Sequence, residues 1–245
     1  MKLDVLYENG LVIVCEKPAG ILSQSGAGGK DSVNMLALAE KYLVERGQGE
    51  TPYLIHRLDA GTGGIMALAK SARSAAVLSE AISDKEKCIK EYLAVVSGAL
   101  PESEGEMTDY LYKDARAGKS FAVSSPRMGA KKAELSFKVL GVAEGEHGPL
   151  SLVRIRLYTG RTPQIRVQFS ARGWPIVGDG KYGSRERLRG KVPEGTPSPK
   201  DMLALHAFHL ALDAGKTAKF DIISTPSAAL YPFSLFEAII VDIAR

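Results

Sequence analysis

The chain of 245 residues is 45% hydrophobic, enough to bury a sizeable core as one large domain or two closely joined ones. Its two cysteines, Cys15 and Cys88, exclude a disulfide framework and a Cys-rich metal site, and no apolar run approaches the roughly 18 residues of a membrane span, so a cytoplasmic protein that does not engage a membrane is expected. The net charge of +4 conceals two unlike halves, 11 Lys and Arg against 16 Asp and Glu in residues 1–110 and 21 against 12 in residues 111–245, which makes the second half either a polyanion binder or an ordinary solvated basic surface.

Residues 3–7 and 11–15 read as two short strands joined at Asn9-Gly10, the dipeptide that best tolerates the positive φ of a tight hairpin turn. Lys17-Pro18-Ala19-Gly20 then breaks regular structure. Between residues 32 and 46, Val33, Leu36, Ala37 and Leu43 fall at helical spacing and the pattern stops at Gly47, which predicts an amphipathic helix. Residues 53–56 and 65–69 look like strand ends flanking a Gly-rich loop, and residues 71–82 like a second helix with Ser71 as its N-cap.

Residues 89–96, 133–142 and 150–158 carry the composition and alternation of strands. In the last of these, Leu152, Arg154, Arg156 and Tyr158 share one face while Val153, Ile155 and Leu157 share the other, so one side is expected against a core and the other against water or a ligand. Residues 162–172 suit a short helix with Pro163 in its first turn. Residues 181–200, rich in Gly, Pro and charge, read as a long surface loop. Strand patterns resume over 203–212 and Lys219–Ile223, ahead of an apolar C-terminal stretch at 235–243. Many strands, few helices and no regular alternation of the two predict an α+β fold around a mixed, largely antiparallel sheet.

Of the four histidines only His206 and His209 lie close together. Three apart on a strand, they are expected on opposite faces, which does not suit a closed metal site; structural hydrogen bonding is the expected role. Gly28-Gly29-Lys30 lacks the Gly at 24 and the Ser or Thr at 31 of a phosphate loop, where Gln24 and Asp31 stand, and Gly26-Ala27-Gly28 lacks the third glycine of a dinucleotide site. No metal, nucleotide or nicotinamide cofactor is therefore expected. The segment from His56 to Gly64 differs, because Arg57 and Asp59 stand two residues apart at the exit of an apolar strand, followed by glycines that let another backbone approach. A shielded carboxylate serves as a nucleophile or base, and a neighbouring guanidinium keeps it ionised. The same residues also suit a turn in which Asp59 caps a loop and Arg57 is solvated.

Several separated segments settle the reading between those two. Residues 4–8 and 12–20, ending in Lys17-Pro18-Ala19-Gly20, are followed by His56-Arg57-Leu58-Asp59 through Ala69-Lys70. Lys90-Glu91-Tyr92-Leu93-Ala94-Val95-Val96-Ser97-Gly98 comes next, then Gly160-Arg161-Thr162-Pro163-Gln164-Ile165-Arg166-Val167, Gly173-Trp174-Pro175-Ile176-Val177-Gly178-Asp179 and Leu205-His206-Ala207. In this order they resemble the opening Lys-Pro-x-Gly turn, the central His-Arg-Leu-Asp motif, the tyrosine strand and the third motif of RluA-type RNA pseudouridine synthases, over nearly the whole chain. The chain departs from the family pattern with Gly63 for Ser, Pro163 for His, and Gln168 where a second His is common.

The resemblance implies a pseudouridine synthase catalytic fold with a central active-site cleft, one catalytic domain over 1–245 in two closely joined halves, and no separate N-terminal S4 domain. It implies an isomerase acting on structured ribosomal or transfer RNA as a monomer, with no cofactor and no metal. Asp59 is then the essential carboxylate, Arg166 the cation set against it, and Tyr92 the ring that stacks on uracil and assists proton transfer. Arg57 would fill the space left by an everted nucleotide. Arg154, Arg156, Arg161, Arg172 and the basic residues at 181 (Lys181), 185, 187, 189 and 191 would contact phosphates. The rival readings are a catalytically silent RNA-binding protein of the same fold and a hydrolase pairing Asp59 with His56.

Overall fold

A computed structural model describes residues 1–25, 33–49, 51–192, 198 and 202–244. In chain order these form β1 (Asp4–Glu8), β2 (Val12–Lys17), α1 (Met35–Glu45), β3 (Tyr53–Leu54), β4 (Gly63–Ala69), α2 (Ala72–Ser83) and β5 (Cys88–Ser97). There follow β6 (Glu104–Asp114), β7 (Lys119–Val123), β8 (Ala130–Gly145), β9 (Gly148–Leu157), α3 (Gln164–Ala171) and β10 (Arg189–Gly190), then β11 (Leu205–Asp213), β12 (Lys219–Ile223), β13 (Leu230–Tyr231) and α4 (Glu237–Asp242). One sheet runs β1-β2-β4-β11-β5-β9-β8-β6-β7, with β3 added to β4 and β12 to β11, and β10 pairs with β13 apart from it. Among the described strands only β4 and β11 pair in parallel, so the expected α+β architecture with a mixed, mostly antiparallel sheet is what the chain adopts.

Local chemistry accounts for most element ends. At the β1–β2 turn the Asn9 carboxamide accepts the N–H groups of Leu11 at 2.7 Å and Val12 at 2.9 Å. Neither Asn9 nor Gly10 has a positive φ, so this turn is closed by a side chain and not, as expected, by left-handed backbone. Asn34 caps α1 by accepting the Ala37 N–H; the expected start at residue 32, like the glycines 26 and 28–29, lies outside the described residues. Ser71 and Ser74 cap α2 reciprocally. Pro163 precedes α3 as its N-cap residue and is not inside the first turn.

Helix α1 buries Met35, Ala39 and Leu43 against Ile13, Cys15, Met66 and Leu68. Helix α2 buries Leu78, Ala81 and Ile82 against Val12, Val14, Ile65 and Ala67. Ile13 and Cys15 alternate with Val12 and Val14, so the two helices cover opposite faces of β2. The larger core joins β5 to the second half, where Leu93, Val95, Leu152, Val153, Phe169 and Phe208 meet the C-terminal residues Phe233, Phe236 and Ile240.

Two expectations need correction here. Residues 181–192 do not form a loose loop, because they alternate between exposed positions and the buried Tyr182, Ser184, Glu186 and Leu188. The Glu186 carboxylate accepts the His147 N–H at 2.8 Å and the Tyr231 hydroxyl at 2.9 Å, tying this strap to the β8–β9 turn and to β13. Residues 193–197 and 199–200 of that loop lie outside the described residues. His206 and His209 also share a face of β11, for they stand beside Leu93 and Glu91 on β5, two residues apart. A bulge between Ala207 and His209 takes up the odd residue and resets the alternation. His206 then meets the Ser224 hydroxyl at 3.0 Å, and His209 lies between Glu91 at 2.9 Å and Asp221 at 2.7 Å.

Candidate functional site

The loop between β3 and β4 is held at both ends before it presents any charged group. His56 accepts the Ala67 N–H on its Nε2 at 2.9 Å, and Leu58 exchanges two hydrogen bonds with the Ser23 hydroxyl, at 2.8 and 3.2 Å. Beyond Asp59 the chain is gathered by Lys17, whose fully buried ammonium donates to the carbonyls of Pro18 (3.1 Å), Ala60 (3.1 Å) and Thr62 (2.7 Å). Gly20 N–H adds a bond to Ala60 O, and Leu203 N–H one to Gly61 O. Gly64 then lies against β11 so closely that a Cβ would sit 2.4 Å from the Ala207 carbonyl oxygen, with φ at +106°. Only glycine allows that approach. Gly63 is different: a Cβ there would make ordinary contacts of 3.4 Å with Ala19 and His206, so its backbone does not demand the departure from Ser.

Asp59 emerges from this fixed loop with its side chain 20% exposed and accepts Nη1 of Arg166 at 2.8 Å. Arg166 sits on α3, and its remaining edge is taken by Asp179, with Nε at 2.6 Å and Nη2 at 3.0 Å from the two carboxylate oxygens. Asp179 is 1% exposed. Burial alone would lower the guanidinium pKa, but the hydrogen bonds it donates to Asp179 and then Asp59 outweigh that and raise the value further, so the cation is permanent. Helix α3 is itself pinned. Gln164 joins Thr159 and the Glu134 carbonyl, Gln168 reaches Asp109 at 2.7 Å, and Arg172 pairs with Asp109 at 2.9 Å.

Asp59, Arg57, Tyr92, Arg161 and Arg166 line one cleft of about 440 Å³. Ile55, Leu58, Ile82, Leu157 and Leu205 supply its apolar wall. Among the described residues lining it, Asp59 is the one carboxylate, against the cations Arg57, Lys90, Arg161 and Arg166. Tyr92 is partly buried on β5, and burial followed by the charge of Asp59 pushes its hydroxyl up, so it remains protonated. Burial lowers Lys17 to about 7, an effect opposed by Asp59 and then Glu16.

The structure does not bring Arg154, Arg156 or Lys181 to this cleft. Arg154 stands beside Leu93 and Arg156 beside Glu91, whereas Tyr92 stands beside Ile155, so both arginines occupy the sheet face opposite Tyr92. Arg154 is engaged there by Glu91 at 2.5 Å. Lys181 donates to the Gly118 carbonyl at 2.6 Å, across to the β6–β7 turn. Asp179 and Lys17, by contrast, hold the site together although neither residue type announces that role within its motif. Among the described residues no group of three or more His, Cys, Asp or Glu is placed to hold a metal ion, and no helix is long and apolar enough to cross a membrane.

His56 is unsuited to act as a base with Asp59, because its acceptor nitrogen already serves Ala67. Burial, and secondarily the charge of Lys90, lowers the imidazole from an ordinary 6.5 to about 4. A histidine depressed in this way contributes stability that is complete above about pH 6.5 and is lost as pH falls toward 4. Substituting His56→Gln, which keeps an acceptor for Ala67, should therefore shrink the fall in melting temperature between about pH 6.5 and 4.5. Equal falls for the two chains would show that His56 does not titrate in this way.

Residues 11–171 match the family model described as RNA pseudouridylate synthase. The chain is 34% identical over 220 residues to the ribosomal large subunit pseudouridine synthase D of Borreliella burgdorferi, covering 88% of this chain and 63% of that protein. It is also 34% identical over 183 residues to the ribosomal large subunit pseudouridine synthase C of Buchnera aphidicola, covering 75% and 55%. The chain thus spans 55% to 63% of the length of these two relatives. Among solved structures it is similar to human RNA pseudouridylate synthase domain containing 1, with a TM-score of 0.69 at 22% identity over 97% of this chain and 94% of that one.

Proposed function

The chain belongs to the RNA pseudouridylate synthase family, and from that premise we propose that its cleft isomerises uridine to pseudouridine in structured ribosomal or transfer RNA, with Asp59 as the essential carboxylate. The observation that carries this reading is the Asp59–Arg166 pair at 2.8 Å, with Asp59 the one carboxylate among the described charged residues lining the cleft, the others being cations. The reaction breaks the bond from ribose C1′ to uracil N1, turns the base and forms a bond from C1′ to C5. A proton leaves C5 and one is gained at N1, so atoms and electrons balance with no redox partner. The cytoplasm and a monomeric state complete the proposal, and neither a metal nor a cofactor is part of it.

Each lining group has a use in that sequence. Asp59 presents a charged oxygen to the sugar or base while Arg166 holds it in place. Tyr92 offers a face on which uracil stacks and a protonated hydroxyl for the proton steps that restore aromaticity. Arg57 is exposed beside Asp59, which suits insertion into the stack vacated by the flipped nucleotide. Arg161, at the cleft rim, is placed for the neighbouring phosphates.

The direct test is to incubate the chain with ribosomal and transfer RNA and quantify pseudouridine after digestion. Pseudouridine with intact RNA is expected. RNA bound and left unmodified would favour a silent binder, and free uracil or cleaved strands would favour a hydrolase. The strap at 181–192 offers a second test, because Arg185, Arg187 and Lys191 are exposed while Glu186 and Leu188 are packed inward. Neutralising these three should reduce the magnitude of the slope of log affinity against log salt by about two to three. An unchanged slope would assign them to solvated surface alone.

A further inference from the structure

Tyr182 has no part in the chemistry above, yet the elements around the catalytic arginine converge on it. It is 5% exposed and stands three residues after Asp179, to whose carbonyl and carboxylate its own N–H donates at 3.0 and 3.3 Å. The Arg166 guanidinium carbon lies over its ring, 5.1 Å from the centroid, and the Lys119 ammonium lies 4.7 Å from the same centroid. Its hydroxyl accepts the backbone N–H of Ser120 on β7 at 3.1 Å. Leu111 of β6, Ala133 of β8 and Val167 of α3 form a small buried cluster around it, with Ala122 of β7 packed against them and the main core elsewhere.

The bonds of Arg166 to Asp59 and Asp179 run from Nε, Nη1 and Nη2, all in the plane of the guanidinium. They hold its edges, while a buried ring whose centroid lies 5.1 Å from the guanidinium carbon blocks displacement of the group on that side. The ring is anchored in turn by a backbone donor on the β6–β7 hairpin, which is remote in sequence from the cleft loop.

We propose that Tyr182 is a positioning residue: its ring holds the Arg166 guanidinium at the angle from which it meets Asp59, and the β6–β7 hairpin holds the ring through Ser120. Catalytic alignment then depends on that hairpin staying docked on α3. This inference rests on the uridine-isomerising reading of the cleft.

The test compares the unsubstituted chain with Tyr182→Leu and Tyr182→Phe on an RNA that the unsubstituted chain modifies, measuring kcat and KM separately alongside thermal melts. Tyr182→Leu should lower kcat about tenfold to a hundredfold with KM changed less than about threefold, since a small misplacement of a catalytic group acts on the reacting geometry. Tyr182→Phe keeps the ring but gives up the bond from the Ser120 N–H, so its kcat should fall between those of the parent and Tyr182→Leu. Should Tyr182→Leu not fold, Tyr182→Met removes the ring face at similar volume and carries the same expectation. A folded Leu or Met variant with kcat within about twofold of the parent, or Phe and Leu losing kcat equally, would overturn the proposal alone. A parent chain that forms no pseudouridine in any RNA would instead overturn the functional reading beneath it.

Discussion

Asp59→Asn is expected to eliminate pseudouridine formation, with kcat falling by about four orders of magnitude or more, the scale on which removal of a group that takes part in the bond-making step registers. The substitution keeps the side-chain volume and one oxygen facing Arg166, while the arginine retains its two bonds to Asp179. No uncompensated buried charge is created, so stability should fall by less than about 2 kcal/mol. RNA affinity should be nearly unchanged, because the cations around the cleft remain. The decisive comparison is turnover against binding for the same folded protein. Substantial residual turnover would remove Asp59 from the chemistry, and a parallel loss of binding would recast it as a structural residue.

Asp179→Ala should be the most damaging substitution to the fold of the site. Asp179 is almost wholly buried and accepts two bonds from Arg166, and its carboxylate also receives the Tyr182 N–H. Removing it leaves a buried guanidinium with Asp59 alone, an imbalance that costs about 3 kcal/mol at the lower end of the range for broken buried pairs. Freed from its inner anchor, Arg166 no longer orients Asp59, and kcat should drop by about a hundredfold besides. Asp179→Asn, which keeps an acceptor for one of those bonds, should fall between the parent and Ala in both measurements. Chemical denaturation and single-turnover kinetics on the three proteins check this order. If Ala and the parent unfold at the same denaturant concentration, the pair adds nothing to stability.

The parts legible in the sequence were those specified by neighbours along the chain. Serine before an apolar helical run marks the start of α2, and the run Lys219–Ile223 alternates and is bounded by turn residues, so β12 was read to the residue. The hairpin β6–β7 was missed because its alternating residues are Thr108, Tyr110 and Tyr112 against Met107, Asp109 and Leu111, so acidic and aromatic side chains blur the apolar period on which strand reading depends. The strap was misread from composition. Its alternation becomes meaningful only once Glu186 finds His147 and Tyr231, partners distant in sequence.

The site divides in the same way. The pairing of Asp59 with Arg166 was expected from the resemblance and is present at 2.8 Å. Asp179 carried no separate signal, since a carboxylate that serves by clamping an arginine needs three segments of chain in place before its purpose shows. Arg154 and Arg156 do share a face of β9, as alternation requires. Which face looks into the cleft was decided by the register with β5, where Tyr92 stands beside Ile155. The bulge in β11, likewise, is a property of paired strands and leaves no mark on one strand's sequence.

The place of β11 in the sheet bears on how the protein is made. It lies between β4 and β5, and its His206 and Ala207 join Gly63 and Gly64 across most of the chain. A nascent polypeptide that has not yet released residues 205–213 leaves β4 and β5 each with an open edge, the kind of surface that invites pairing with another chain. Assembly of the loop bearing Asp59 also waits on Leu203, whose N–H closes on Gly61. Contacts of such long sequence separation form late and slowly. Release of residues 203–213 therefore governs when the cleft first exists.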